Sequence, residues 1–171
     1  MSLLILATIL AVGVVRIQAG CPSIQSDSLT GVEGRWYKVY SNIEYPTVKC
    51  AYGDISKSGD TYTTNVNIKF DNGESMTVDS TIKKESDGKY YDEWENDDGI
   101  TQHDITLLKV DGDFLLSWIC VDFGDGVIKE NAAIHSRNKQ TSNAIKEKFS
   151  NWLTSKGAQG GTFYESRTDG C

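Results

Sequence analysis

The chain has 171 residues, a formal net charge of −7 at pH 7 and 39% hydrophobic residues. An acidic chain without a basic cluster offers no electrostatic partner to nucleic acid or to an anionic membrane, so we expect neither as a partner. This length suits one domain that buries roughly two-thirds of its unfolded surface.

The first nineteen residues are interpreted as a signal peptide. The apolar run LLILATILAVGVV is too short to span a bilayer comfortably, and small residues follow it around Ala19. No stop-transfer pattern follows, which makes a membrane anchor the weaker alternative. We therefore predict a signal peptide over residues 1–19 and a secreted, extracellular domain over residues 20–171, without stable membrane insertion.

The remaining cysteines indicate two disulfides. They are Cys21, Cys50, Cys120 and Cys171. An even number of cysteines in an oxidising compartment implies bridges, and four cysteines allow three connectivities. No pair has the C-x-x-C spacing of a zinc site, so we expect no metal. With all four thiols in bridges, no cysteine remains as a nucleophile or for a covalent link to a ligand, and we do not expect an enzyme.

Between Trp36 and His135 the chain has the pattern of short strands separated by turns. The stretch TYTTNVNIKF alternates apolar and polar residues with a period of two, and the Asn72-Gly73 turn after it is a strong hairpin signal. Similar turns recur roughly every ten to fifteen residues and separate eight candidate strands. Such a chain can close into an all-β, antiparallel up-and-down barrel. An immunoglobulin-type sandwich is the alternative, but its cysteine and tryptophan spacing is not visible.

The third candidate strand leaves its orientation open. Burial of apolar surface favours Val66 and Ile68 inward, whereas the opposite orientation would place Asn65 and Asn67 inward as hydrogen-bonding groups. The wrong choice would leave an apolar outer surface, which would imply a homodimer. The acid-rich stretch Asp92–Gly99 lacks the spacing of a calcium loop, and we expect a solvated turn there.

One helix follows the strands. Ile145, Phe149, Trp152 and Leu153 fall on one apolar stripe, Thr141 or Ser142 can cap the start, and Lys156 with Gly157 marks the end. The stripe predicts a helix packed on the outside of the barrel. A partner-binding helix would show the same pattern.

Gly34-x-Trp36 opens the first strand, and Ser136-Arg137 follows the eighth, before the helix and a short terminal strand. With the four cysteines, these features resemble the lipocalin family, in particular the crustacyanin- and insecticyanin-like pigment carriers of invertebrates and apolipoprotein D. The resemblance covers Cys21 to Cys171 and implies an eight-stranded barrel with one α-helix packed outside. The family's threonine-aspartate-tyrosine turn is missing, because its place reads KVDGDF.

The resemblance also implies roles for the motif residues. Trp36 would plug the closed end of the barrel, and Arg137 would lie across its indole as a cation–π contact. Gly34 would let the chain cross closely beneath the barrel. The implied disulfides are Cys21–Cys120 and Cys50–Cys171.

A mainly apolar cavity with a few polar groups suits an apolar molecule with one or two polar ends. If Cys120 bonds to an amino-terminal arm outside the barrel, alternation turns Leu115 and Ser117 inward. We expect the ligand to contact a set of residues on five of the strands: Lys38, Tyr40, Asn65, Val66, Ile68, Met76, Val78, Trp94, Leu115 and Ser117.

The favoured function is a secreted carrier of a small hydrophobic ligand. Candidate ligands are a bilin, carotenoid, retinoid, sterol or fatty acid, and a bilin or carotenoid would be bound non-covalently. The alternative is a secreted immune or salivary modulator of the same fold, which acts through its loops or scavenges an amine. An acidic cluster facing the cavity would support scavenging.

Overall fold

The structure is a computed structural model that describes residues 20–22, 24, 29–95, 99, 101–123, 127–159 and 162–171. The predicted signal peptide, residues 1–19, lies outside the described residues. Residues 96–98, within the acid-rich stretch expected to form a solvated turn, and residues 124–126 lie outside them too.

The described chain forms nine strands and one helix. Their bounds are β1 Gly34–Ser41, β2 Val48–Ser58, β3 Thr61–Phe70, β4 Ser75–Lys84, β5 Tyr90–Glu95, β6 Thr101–Asp111, β7 Phe114–Asp122, β8 Ile128–Ser136, α1 Asn143–Ser155 and β9 Tyr164–Glu165.

Strands β1 to β8 close into an antiparallel barrel. Each strand from β2 to β7 pairs with the next along the chain, and β1 pairs with both β8 and β2. The short β9 adds to the outside of β1. Closure satisfies the backbone groups that an open sheet would leave at its edges. The predicted all-β, eight-stranded up-and-down barrel with a helix outside is confirmed.

The helix starts and ends where the sequence indicates. The Ser142 hydroxyl caps it by accepting a hydrogen bond from the Ile145 amide, and Lys156 forms the carboxyl-terminal cap. Phe149 and Leu153 are fully buried against the outer faces of β1, β6, β7 and β8. Among the described residues, no helix has the length and apolar character needed to cross a membrane.

A second apolar cluster fills the end of the barrel where β1 begins. Its buried members are Leu29, Val32, Trp36, Tyr62, Ile82, Leu108 and Leu115. The segment before β1 contributes Leu29 and Val32, so it covers this end from below. This end is therefore closed, and the opposite end, where β1 finishes at Ser41, is the open end.

Two disulfides fasten the chain's ends to the barrel. Cys21 is bonded to Cys120 on β7, with Cα atoms 5.9 Å apart. Cys50 on β2 is bonded to Cys171, with Cα atoms 5.6 Å apart. These are the two pairs that the family resemblance implies. Each bridge spans about a hundred residues of sequence, which restricts the unfolded chain strongly.

Candidate functional site

The base of the barrel is a tryptophan covered by an arginine. Arg137 Cζ lies 3.5 Å from the centroid of the Trp36 ring, and Trp36 is almost fully buried. The indole Nε1 donates to the Val32 carbonyl at 2.6 Å. The guanidinium also donates to three backbone carbonyls, those of Gly31, Glu33 and Arg35. These contacts hold the segment before β1 against the closed end.

Gly34 makes this arrangement possible. Its φ of 96° is in the left-handed region, which favours glycine. A Cβ at this position would lie only 2.9 Å from Arg137 Nη1. The glycine of the G-x-W motif therefore leaves room for the guanidinium that covers the tryptophan two residues later.

Above this base lies a cavity of about 240 Å³. Most of its wall is apolar, and polar groups are confined to a few positions. The lining residues are Trp36, Lys38, Ala51, Tyr52, Gly53, Ile55, Thr64, Val66, Ile68, Ile82, Asp92, Thr106, Leu108, Leu115, Ser117, Ile119, Asn131, Ala133 and His135.

Five of the predicted ligand contacts line this cavity. They are Lys38, Val66, Ile68, Leu115 and Ser117. They come from β1, β3 and β7, so the period-two alternation identified the inner face on these strands. Their contact with a ligand stays a prediction.

The expectation that Tyr40 faces the cavity is wrong. The β1–β8 register shifts between Lys38 and Tyr40, so a bulge interrupts the alternation and turns the tyrosine outward. Tyr40 is buried beneath the helix, where Lys146 Nζ lies 5.4 Å from its ring centroid.

The open question about β3 is resolved in favour of its apolar face. Val66 and Ile68 line the cavity, whereas Asn65 donates to Asp79 Oδ1 at 2.6 Å on the outer surface. The expectation that Asn65 contacts the ligand from inside is therefore corrected. The apolar side chains gain more from burial than the amides would. The argument for a homodimer from an apolar outer face is thereby removed.

Three other predicted contacts lie outside the cavity lining. Met76 and Val78 pair with the inward residues Ile68 and Val66, but Met76 is 42% exposed towards the open end. Trp94 is also near the open end, where its Nε1 donates to Asp104 Oδ2 at 3.1 Å. These residues lie at the rim because β4 begins and β5 ends there.

One wall of the cavity carries a basic and polar group of residues. Lys38 pairs across the strands with His135, and the Lys38 Nζ lies 4.4 Å from the ring centroid of Tyr45 in the β1–β2 loop. His135 Nε2 and Ser117 Oγ share a hydrogen bond of 2.8 Å. Burial lowers the pKa of Lys38. Burial, and secondly the charge of Lys38, lower the pKa of His135 to about 3, so its imidazole is neutral at pH 7.

Another wall carries two carboxyl groups. Asp92 on β5 and Asp104 on β6 are directly opposite in the strand pairing, so both face the barrel interior. Burial, and to a smaller extent the charge of Asp104, raise the pKa of Asp92 to about 6, while a hydrogen bond with Ser80 opposes the shift. Asp92 Oδ1 is buried without a hydrogen-bond partner in the described part of the chain. The solvated turn expected over Asp92–Gly99 is wrong for residues 92–95, which belong to β5, and residues 96–98 lie outside the described residues.

The sequence interpretation did not select His135 or Asp92. In VIKENAAIH, the residues Asn131, Ala133 and His135 alternate with the outward-facing Ala132 and Ile134, which gives a signal for the inner face of β8. Asp92 was missed because the acidic residues around it hide the alternation of apolar and polar residues that would mark a short strand.

A closed eight-stranded antiparallel barrel, sealed at one end, hollow inside and carrying one helix outside, is a lipocalin fold. The model of the lipocalin / cytosolic fatty-acid binding protein family matches residues 33–166. The chain belongs to this family. A comparison with curated proteins gave no match.

Solved structures show the same fold at low sequence identity. Lobster apocrustacyanin A1 has a TM-score of 0.67 and 13% identity, covering 88% of this chain and 92% of that one. Insecticyanin from the tobacco hornworm Manduca sexta has a TM-score of 0.66 and 14% identity, covering 87% and 84%. The siderocalin Ex-FABP has a TM-score of 0.57 and 14% identity, covering 82% and 96%. The similarity to invertebrate pigment carriers is confirmed at the level of the fold.

Proposed function

We propose that the protein is a secreted carrier that binds one small hydrophobic molecule in the barrel cavity. The observation that carries the proposal is the largely apolar cavity inside the barrel, above the Trp36–Arg137 base. Membership of the lipocalin family and similarity to the dual-specificity siderocalin support it. In this function the ligand is bound and released without chemical change.

The cavity volume favours the smaller candidate ligands. At about 240 Å³ it lies just below the roughly 300–1,000 Å³ typical of pockets for drug-sized molecules. A fatty acid or a retinoid suits this space better than a bilin or a carotenoid. All four cysteines are in disulfides, so no free thiol is available to form a covalent bond with the ligand.

The neutral fluorophore N-phenyl-1-naphthylamine tests the proposal. We expect saturable binding of one molecule per chain, with enhanced fluorophore emission and quenching of the tryptophan emission of the protein. Ala133→Phe, which fills the cavity, should abolish binding, whereas Thr63→Phe on the outer face of β3 should leave it unchanged. Circular dichroism would establish that both variants fold. A flat titration of the folded wild-type protein, or equal binding by Ala133→Phe, would refute the proposal.

A second candidate function, scavenging of an amine, is favoured by the two inward-facing carboxyl groups. An ammonium group near Asp92 and Asp104 would relieve the repulsion between them and supply Asp92 Oδ1 with a donor. Calorimetric titration with 2-phenylethylamine and the isosteric 2-phenylethanol separates the candidates. Scavenging requires tighter binding of the amine and its loss in Asp92→Asn, and equal affinity for the two compounds would reject it.

A further inference from the structure

We propose that Lys38 is the anion-binding group of the cavity and that the carried molecule is an amphipathic organic acid whose acidic group pairs with the Lys38 ammonium. This inference rests on the proposed carrier function and adds the chemical class of the ligand and its orientation.

Lys38 differs from the ion-paired cations of the surface because its side chain lines the cavity. Arg35, Lys83, Lys148 and Arg167 each form an ion pair with a carboxylate on the surface. Lys38 lines the cavity and also borders a smaller outer pocket that includes Glu44, Tyr45 and Glu165, and within the described part of the chain no carboxylate lies at ion-pair distance from it. Its one described partner is the ring of Tyr45, 4.4 Å from Nζ. A ligand with an acidic group would supply this side chain with a negative charge.

The energetics favour an anion at this position. A desolvated ammonium is costly unless it is paired and hydrogen-bonded. Burial alone accounts for the lowered pKa of Lys38, without an opposing carboxylate, and the ring contact replaces only part of the lost hydration. A ligand carboxylate would supply charge-assisted hydrogen bonds at a site that already excludes much of the water.

The neighbours of Lys38 suit an acidic group as well. His135 is neutral at pH 7 and lies opposite Lys38 in the strand pairing, and Ser117 is hydrogen-bonded to it. Both also line the cavity and offer polar atoms for a second ligand oxygen. Neither adds a negative charge that would repel the ligand.

The opposite wall fixes the orientation of the ligand. In a ring of eight strands, β5 lies four strands from β1 in either direction, so Asp92 is across the barrel from Lys38. A carboxylate is attracted to the Lys38 wall and repelled from the Asp92 wall. The apolar part of the ligand would then cover the side chains between these walls, including Val66, Ile68 and Ile119.

Three ligands with one chain length and different head groups test the inference: decanoic acid, decan-1-ol and decylamine, each kept below its solubility limit or critical micelle concentration. Calorimetric titration at pH 7.5 should show decanoate binding on the order of tenfold or more tighter than decanol, since a hydrogen bond to a charged group contributes about 1.5–3 kcal/mol. Lys38→Met should reduce the affinity for decanoate to that for decanol. The affinity for decanol itself should stay within about twofold of its wild-type value. Lys84→Met is the matched control, because Lys84 also lies over a tyrosine ring but outside the cavity.

The wild-type comparison decides the inference even if a variant does not fold. Equal binding of acid and alcohol, or tighter binding of the amine, would overturn the role of Lys38 while the carrier function stands. Unchanged acid preference in folded Lys38→Met would overturn it as well. If none of the three compounds binds, and the fluorophore titration is flat, the carrier function itself fails.

Discussion

Arg137→Met tests the idea that the cation over Trp36 seals the barrel. The substitution keeps an unbranched side chain but removes the guanidinium that lies 3.5 Å from the ring centroid. It also removes three hydrogen bonds to backbone carbonyls, with donor–acceptor distances of 3.0, 2.9 and 2.7 Å. A cation–π contact contributes about 0.5–2 kcal/mol and each hydrogen bond a net of about 1 kcal/mol. Because the site is partly solvated, we expect a loss of about 2–4 kcal/mol in total.

Urea unfolding at pH 7, followed by tryptophan fluorescence, measures this loss. With an m-value of about 2 kcal/mol/M, the unfolding midpoint should fall by about 1–2 M. Arg137→Lys should give an intermediate result, because lysine keeps the charge but lacks the planar fork that reaches several carbonyls.

Arg35→Met is the control for this prediction. Arg35 also lies over an aromatic ring, with Cζ 4.6 Å from the Tyr52 centroid, and pairs with Asp54, but on the outer surface. Exposed pairs contribute little to stability, so its loss should be clearly smaller. If Arg137→Met and Arg35→Met shift the midpoint equally, the proposed sealing role of Arg137 is refuted.

Gly34→Ala should lower the unfolding free energy by more than about 1 kcal/mol, because the φ of 96° is left-handed and a Cβ would meet Arg137; an unchanged urea midpoint would contradict this. The pKa of Asp92, about 6, is above its unfolded value of about 3.9, so the native chain binds more protons than the unfolded chain between about pH 4 and 6. The free energy of unfolding therefore falls by about 3 kcal/mol as the pH rises through this window. Asp92→Asn should remove that loss in urea titrations at pH 4 and 7, and a pH-independent difference from wild type would disprove it. For His135 the sign is opposite, since its native pKa of about 3 is below about 6.5, and stability falls as the pH drops below about 6.5. The melting temperature of His135→Gln should therefore fall less than that of wild type between pH 7 and pH 4.5. An equal decrease in the two proteins would contradict the prediction.

The barrel and helix could be predicted because their signals are local. Alternation in TYTTNVNIKF, the Asn72-Gly73 turn and the apolar stripe from Ile145 to Leu153 each report on the backbone that carries them. Antiparallel neighbours joined by tight turns leave few topologies open, so closure follows from strand number and order.

The site was less predictable because it depends on register across strands. A single bulge after Lys38 turned Tyr40 from the cavity to the helix, and no residue pattern in GRWYKVYS marks it. Whether Asn65 or Val66 faces inward depends on the whole barrel, since either face of β3 can be half-buried. The pairing of Asp92 with Asp104 likewise joins residues of two strands. Alternation within one strand separates its two faces, but it does not show which residues of neighbouring strands lie opposite each other.

The most direct test of the carrier function is native mass spectrometry of the disulfide-bonded protein isolated from its natural source. We predict one small organic molecule per chain, which is released on denaturation and is replaced when excess decanoic acid is added. A native mass equal to that of the bare chain, with no mass increase in the presence of decanoic acid, would contradict the account.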